Sequence, residues 1–204
     1  MPRADGTVRL IARCACSRSL PAEVRDWRVV HLLLTEASAL RQSGEVEVAR
    51  RLLDDALARV GQDDAHTRAV TLGQIADVLQ AHGELDEARR MHEERLKTFV
   101  RLGDIDGIAH TRWSLAQVSM AERRPIHEIA EHLLESYKLN LKLGRLEGVC
   151  FVGAALGQVL VATGQPDDAR VVLERSRDGF VKLGLPDLAA QVQALLDRLS
   201  VPPT

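Results

Sequence analysis

The stretch Ile75-Ala76-Asp77-Val78-Leu79-Gln80-Ala81-His82-Gly83-Glu84-Leu85-Asp86-Glu87-Ala88-Arg89 decides the fold. Its first half is apolar at helical spacing up to His82. Gly83 supplies the left-handed backbone that closes a helix, and the acids after it favour the positive end of the next helix dipole. The stretch is a helix, a corner and a second helix. The corner recurs as Gly44-Glu45-Val46-Glu47-Val48-Ala49-Arg50 and Gly164-Gln165-Pro166-Asp167-Asp168-Ala169-Arg170. A degraded copy, Arg124-Pro125-Ile126-His127-Glu128-Ile129-Ala130, has lost the glycine and gained two residues. The alanines Ala49, Ala88, Ala130 and Ala169 are 39, 42 and 39 residues apart.

Two further markers keep the same period. A small residue stands inside each preceding helix, at Ala37, Ala76, Ala116 and Gly157, spaced by 39, 40 and 41. It falls where antiparallel helices approach most closely, so a larger side chain would push them apart. An apolar residue followed by glycine ends each second helix, at Val60-Gly61, Leu102-Gly103, Leu143-Gly144 and Leu183-Gly184, spaced by 42, 41 and 40. Such periodicity is the signature of a stacked helical repeat. Pro125, Pro166 and Pro186 fall at helix starts, where a missing N–H costs nothing. The pattern predicts helices near 21–43, 46–60, 65–82, 85–102, 105–122, 125–143, 146–163, 166–183 and 186–199. That is four pairs and a solvating last helix, with Leu188, Val192, Leu195 and Leu199 facing inward and Gln191, Asp197 and Arg198 outward.

Composition agrees with an all-α chain. Only 3% of the 204 residues are aromatic, and Ala, Leu, Val, Arg and Glu dominate, which favours helix over strand. Lys and Arg number 27 against 29 Asp and Glu, a net charge of -2, so no global attraction to nucleic acid or anionic lipid is expected. The charge divides into about +3 on residues 1–20 and about -5 on the rest. Residues 1–20 read as a flexible basic tail, 21–199 as the repeat domain and 200–204 as a short flexible tail. Cys14, Cys16 and Cys150 suit no disulfide framework or zinc spacing, and no apolar run is long enough for a membrane span or a signal core. The expected location is the cytoplasm.

These residues resemble the tetratricopeptide repeat (TPR) family, in the long-helix form of about 40 residues found in bacterial regulatory proteins. The match is clearest at Ile75-Ala76, Leu79 and Gly83 to Ala88, and again at Leu156-Gly157, Leu160, Gly164 and Ala169. His92 and Leu53 stand where the family has a second-helix aromatic. The resemblance implies an all-α, right-handed α-α superhelix, a solenoid of about four TPR-like pairs with a C-terminal capping helix. It also implies a groove lined by the first helices, at positions six and three before, one after and four after the small residue. Here those are His31, Leu34, Ser38 and Arg41; Val70, Gly73, Asp77 and Gln80; His110, Trp113, Gln117 and Met120; and Phe151, Ala154, Gln158 and Val161. Ser38, Asp77, Gln117 and Gln158 form a polar ladder suited to the main chain of an extended peptide, which must be satisfied once its water is removed. Trp113 reads either as an anchor pocket beside His110 and Phe151 or as packing between repeats. Trp27 is expected to pack the N-terminal edge.

The sequence carries no recognisable catalytic or metal-binding constellation. His127 and His132 are five apart and share no helix face, and His92-Glu93-Glu94 lacks the second histidine of a zinc-protease helix. No phosphate-binding or dinucleotide glycine motif occurs. Gly153 and Gly157 suit close helix packing. Cys150 reads as a small core residue and the histidines as surface or partly packed. No catalytic residue, metal or cofactor is expected. The sequence therefore points to a non-catalytic scaffold or adaptor that binds a protein or extended peptide, in bacterial signalling or regulation. Self-association as an oligomerisation module is one alternative. A regulatory subunit acting on a partner regulator or ATPase is the other.

Overall fold

A computed structural model describes residues 22–199, with side chains from Arg28 onward. The two tails, Cys14, Cys16 and the side chain of Trp27 lie outside the described residues. Nine helices and no strands are found among those described: α1 Ala22–Gln42, α2 Val46–Arg59, α3 Ala65–His82, α4 Leu85–Leu102, α5 Ile105–Ala121, α6 Ile126–Leu143, α7 Leu146–Ala162, α8 Pro166–Lys182 and α9 Pro186–Leu199. Each lies within two residues of its expected bounds.

The corners set those bounds. At Gly83 the backbone turns left-handed, with φ of 83°. Its N–H then donates to the Gln80 carbonyl at 3.0 Å and the Glu84 N–H to Leu79 at 2.9 Å, which satisfies carbonyls the helix would otherwise leave open. The same pair of bonds closes α1, α4, α5, α6, α7 and α8. Two positions depart from the pattern. Arg123 takes the left-handed place of the missing third glycine, with φ of 55°. After α2, Val60 leaves the helix extended, and Gly61 has no positive φ. A longer link follows, until the Asp64 side chain accepts from the Thr67 N–H at 2.9 Å and starts α3.

The chain divides into two compact units at Met91 and His92, inside α4. In the first, α1, α2 and α3 pack in sequence around the buried Leu33, Ala37, Leu53, Ile75 and Ala76. In the second, each helix from α5 to α9 packs on the next. Ala116, Leu133, Tyr137, Val152 and Leu156 make one core, and Cys150, Leu173, Phe180, Val192 and Leu196 another. The close approach at Gly157 is real: a Cβ there would lie 2.5 Å from the Leu173 side chain. Gly153 likewise faces Ser176 Oγ. The Ser136 hydroxyl reaches across the same kind of approach and donates to the Ala109 carbonyl at 2.8 Å. Helix α9 covers the last core with Ala189, Val192 and Leu196 buried and Leu188, Leu195 and Leu199 partly so. Gln191, Asp197 and Arg198 face outward, as expected.

Candidate binding cleft

In the 1–91 unit the first helices of two neighbouring pairs, α1 and α3, enclose a cleft of about 470 Å³. From α1 it is lined by His31, Leu34, Thr35, Ser38, Ala39 and Gln42, and from α3 by Val70 and Gln74. His31, Leu34, Ser38 and Val70 belong to the positions the repeat register selects. Leu34 is buried and forms an apolar floor, while Ser38 is half-buried and His31 exposed. Arg41, in contrast, does not line the cleft, and Gln42 takes its place. Eleven residues on from His31 the helix returns to within about 20° of the same face, whereas ten leave it about 80° away. Thr35 lies on that stripe for the same reason, and its hydroxyl donates to the His31 carbonyl at 2.9 Å. Extending the helical stripe from His31 by four and eleven residues would have found both. Gln74, one turn beyond Val70, brings a side-chain oxygen that is buried and has no hydrogen-bond partner. Asp77 and Gln80 are half-exposed on α3 and stand outside the cleft. The lining holds no carboxylate, lysine or arginine.

In the 92–204 unit the selected residues sit in different surroundings. Gln117 is half-exposed and Gln158 exposed. Trp113 is half-buried, with part of its surface packed against the core that contains Ala116, Leu133 and Tyr137. Phe151 does not meet it. Its ring leans edge-on against the buried Phe180, with centroids 5.1 Å apart and planes at 82°. His110 Nδ1 lies 3.1 Å from Arg95 Nη2. Arginine can only donate, so Nδ1 accepts and the remaining ring proton sits on Nε2. Desolvation of its packed side, followed by the Arg95 charge, lowers the His110 pKa to about 4, although part of the residue reaches solvent.

One histidine departs from the surface reading. His92 has no exposed area, and burial, then the charge of Arg95, lowers its pKa to about 3. Arg95 is itself buried and lies 5.3 Å from the centroid of the Phe99 ring. Cys150 is buried in the core it shares with Leu173 and Phe180 of α8 and Ala189, Val192 and Leu196 of α9, and burial pushes its thiol pKa up. Among the described residues no group of three or more His, Cys, Asp or Glu is placed to hold a metal ion. No described helix is long and apolar enough to cross a membrane.

Stacked helix pairs, glycine corners and small-residue approaches define an all-α helical-repeat fold. Residues 29–99 match the Tetratricopeptide repeat family model. No curated protein sequence matches the chain. Among solved structures it is similar to BtubC (BKLC) from P. vanneervenii, at 17% identity and a TM-score of 0.69, over 98% of this chain and 91% of that one. It is also similar to the apo form of RapI, at 13% identity and a TM-score of 0.78, over 97% of this chain and 70% of that one. The Rap conjugation gene regulator of the plasmid pLS20, solved in complex with a peptide, matches at 14% identity and a TM-score of 0.78. That match covers 98% of this chain and 53% of the regulator, so the chain spans about half its length.

Proposed function

We propose that this chain is a non-catalytic scaffold that binds an extended peptide segment of a partner in the cleft between α1 and α3, in a regulatory role in a bacterial cytoplasm. The observation that carries the reading is the coincidence of the cleft with the stripe His31, Leu34, Ser38 and Val70 selected by the repeat register. Its lining supplies hydroxyl and amide groups, with the imidazole of His31, over an apolar floor. That combination suits a main chain with small uncharged side chains and offers nothing to a strongly charged ligand. The peptide-bound Rap regulator supports the reading by analogy of fold, because a chain of this architecture there holds a peptide.

Peptides selected from a displayed random library against the full chain test it. Labelled peptides recovered this way are expected to bind the wild type and to lose at least about tenfold in affinity to Ser38→Arg, which puts a long charged side chain into the cleft. The melting temperature of that variant should stay near wild type, since Ser38 is only half-buried. Selected peptides that bind Ser38→Arg and Gln42→Arg as tightly as the wild type would overturn the assignment.

A further inference from the structure

The α1–α3 cleft opens close to where α1 starts. The helix begins at Ala22, and His31, the first residue of the cleft lining, stands nine residues on. At helical rise that is about 13 Å along the axis. The lining then follows α1 from His31 to Gln42, a further eleven residues or about 16 Å. Chain that precedes Ala22, turned back along α1 and extended at about 3.3 Å per residue, uses about two residues for the turn and about four for the distance to His31. Counted back from Ala22, that sets Cys16 beside His31, and about five more extended residues set Ile11 beside Gln42.

The segment selected by this distance is Ile11-Ala12-Arg13-Cys14-Ala15-Cys16. Side chains of an extended chain alternate between two faces, so Ala12, Cys14 and Cys16 share one face and Ile11, Arg13 and Ala15 the other. The lining holds no carboxylate to receive Arg13, and its floor is the buried Leu34. An unpaired guanidinium is costly over such a floor, so the small uncharged face is the one that turns inward and Arg13 points to water. The main chain of the segment has a partner too. Gln74 Oε1 is buried without a hydrogen-bond partner, and its amide, turned about its soft terminal torsion, can accept from a main-chain N–H laid along the cleft.

Charge and tethering favour this segment over a free one. Residues 1–20 carry about +3 and the rest of the chain about -5, which attracts the one to the other. A short tether also holds the segment at an effective concentration of about millimolar, far above that of a dilute partner.

We infer that residues 11–16 of this chain occupy the α1–α3 cleft in cis, with Ala12, Cys14 and Cys16 turned toward the Leu34 floor. The docking rests on the reading of the cleft as a peptide site and adds its regulation, because a partner segment then binds by displacing the chain's own. The apparent affinity for the partner is reduced by the fraction of cleft left open.

Alkylation by iodoacetamide of the reduced full chain, read at each cysteine by mass spectrometry, tests the docking without any partner. Cys14 and Cys16 are expected to react at least about tenfold more slowly in the wild type than in Ser38→Arg, which puts a charge into the cleft, or in Ala12→Glu, which puts one on the inward face of the segment. Ala12→Glu leaves every residue of the cleft in place, so library-selected peptides should bind it at least about tenfold more tightly than the wild type. Thiols as fast in the wild type as in both variants, thiols as slow in both variants as in the wild type, or selected peptides that bind Ala12→Glu no more tightly would each overturn the inference. So would protection that grows with protein concentration, which belongs to the segment of a second copy. Selected peptides blocked by Ser38→Arg while both thiols stay fast in the wild type would leave the peptide site standing and remove its self-occupation. Thiols released by both variants while no selected peptide binds even Ala12→Glu would keep the docking and remove the partner.

Discussion

His92 titrates where its surroundings allow. Burial without exposed area, and then the Arg95 charge, lowers its pKa from 6.5 to about 3. The unfolded chain therefore binds a proton in a window where the folded chain does not, and stability rises with pH through that window. The contribution is fully present above pH 6.5 and is lost as pH falls toward 3. Relative to pH 7, one such histidine costs about 2 kcal/mol at pH 5. His92→Leu should flatten this acid limb, because Leu53 is tolerated fully buried in α2. Urea unfolding at a series of pH values checks it, and an acid limb unchanged in the variant would count against burial as the cause. The position was partly legible in the sequence, since Ala88, His92, Arg95 and Phe99 fall at i, i+4, i+7 and i+11 on one helical stripe, and all are buried. Polarity hid it. A histidine and an arginine read as solvent-facing unless the apolar residues on either side of them are followed around the helix. Face decides likewise at the end of α1, where Gln42 and not Arg41 falls on the stripe that lines the cleft.

Helices were the most legible scale, because their ends are written in chemistry that acts locally. Every corner glycine with a positive φ among Gly44, Gly83 and Gly164 was marked by its acids and by the alanine five residues on. The third corner shows what local chemistry does not say. The loss of its glycine was visible, yet the backbone still turns left-handed, and Arg123 bears that conformation with φ of 55°. Its N–H donates to Met120 at 3.1 Å, and the Arg124 N–H to Ser119 at 2.9 Å, so the corner keeps the bonds of the others without the residue that makes them easy. A left-handed residue with a Cβ costs about 1 kcal/mol more than glycine there. Arg123→Gly should therefore raise the unfolding free energy by about 1 kcal/mol, and Gly83→Ala should lower it by a similar amount. Guanidinium unfolding measures both. Equal stability of Arg123→Gly and wild type would show that the backbone at 123 carries no strain. Gly61 is the converse case: its apolar-glycine pair matched the register, but Val60 leaves the helix extended, and the longer link to Asp64 frees Gly61 from the left-handed place.

At the scale of the whole molecule, an array of repeats needs each apolar face covered by the next pair, and the last face needs a helix with a polar outer side. The sequence carried the capping helix through its inner Leu188, Val192, Leu195 and Leu199, but it could not say what the cap protects, because that depends on residues brought together from three helices. In the structure Cys150 of α7, Leu173 and Phe180 of α8, and Ala189, Val192 and Leu196 of α9 form one core. Arg177 Nη1 holds Gln193 Oε1 at 2.9 Å, and Arg170 Nη2 the Leu199 carbonyl at 3.3 Å, so polar bonds at the rim fasten what the apolar contact buries. Cys150 reports on that seal. Its thiol has no exposed area, and burial raises its pKa, so both access and thiolate formation are suppressed in the native state. With Cys14 and Cys16 replaced by serine, the remaining thiol should react with a disulfide reagent only as fast as the chain opens. Truncation before Pro186 removes Ala189, Val192 and Leu196 from the core that holds it, and the reaction is then expected to speed up by at least about tenfold, with the melting temperature lowered. Comparing the reaction rates of intact and truncated chains at the same pH decides the matter. A truncated chain whose thiol stays as slow as the intact one would mean that α7 and α8 close over Cys150 by themselves and that α9 adds solubility without sealing the core.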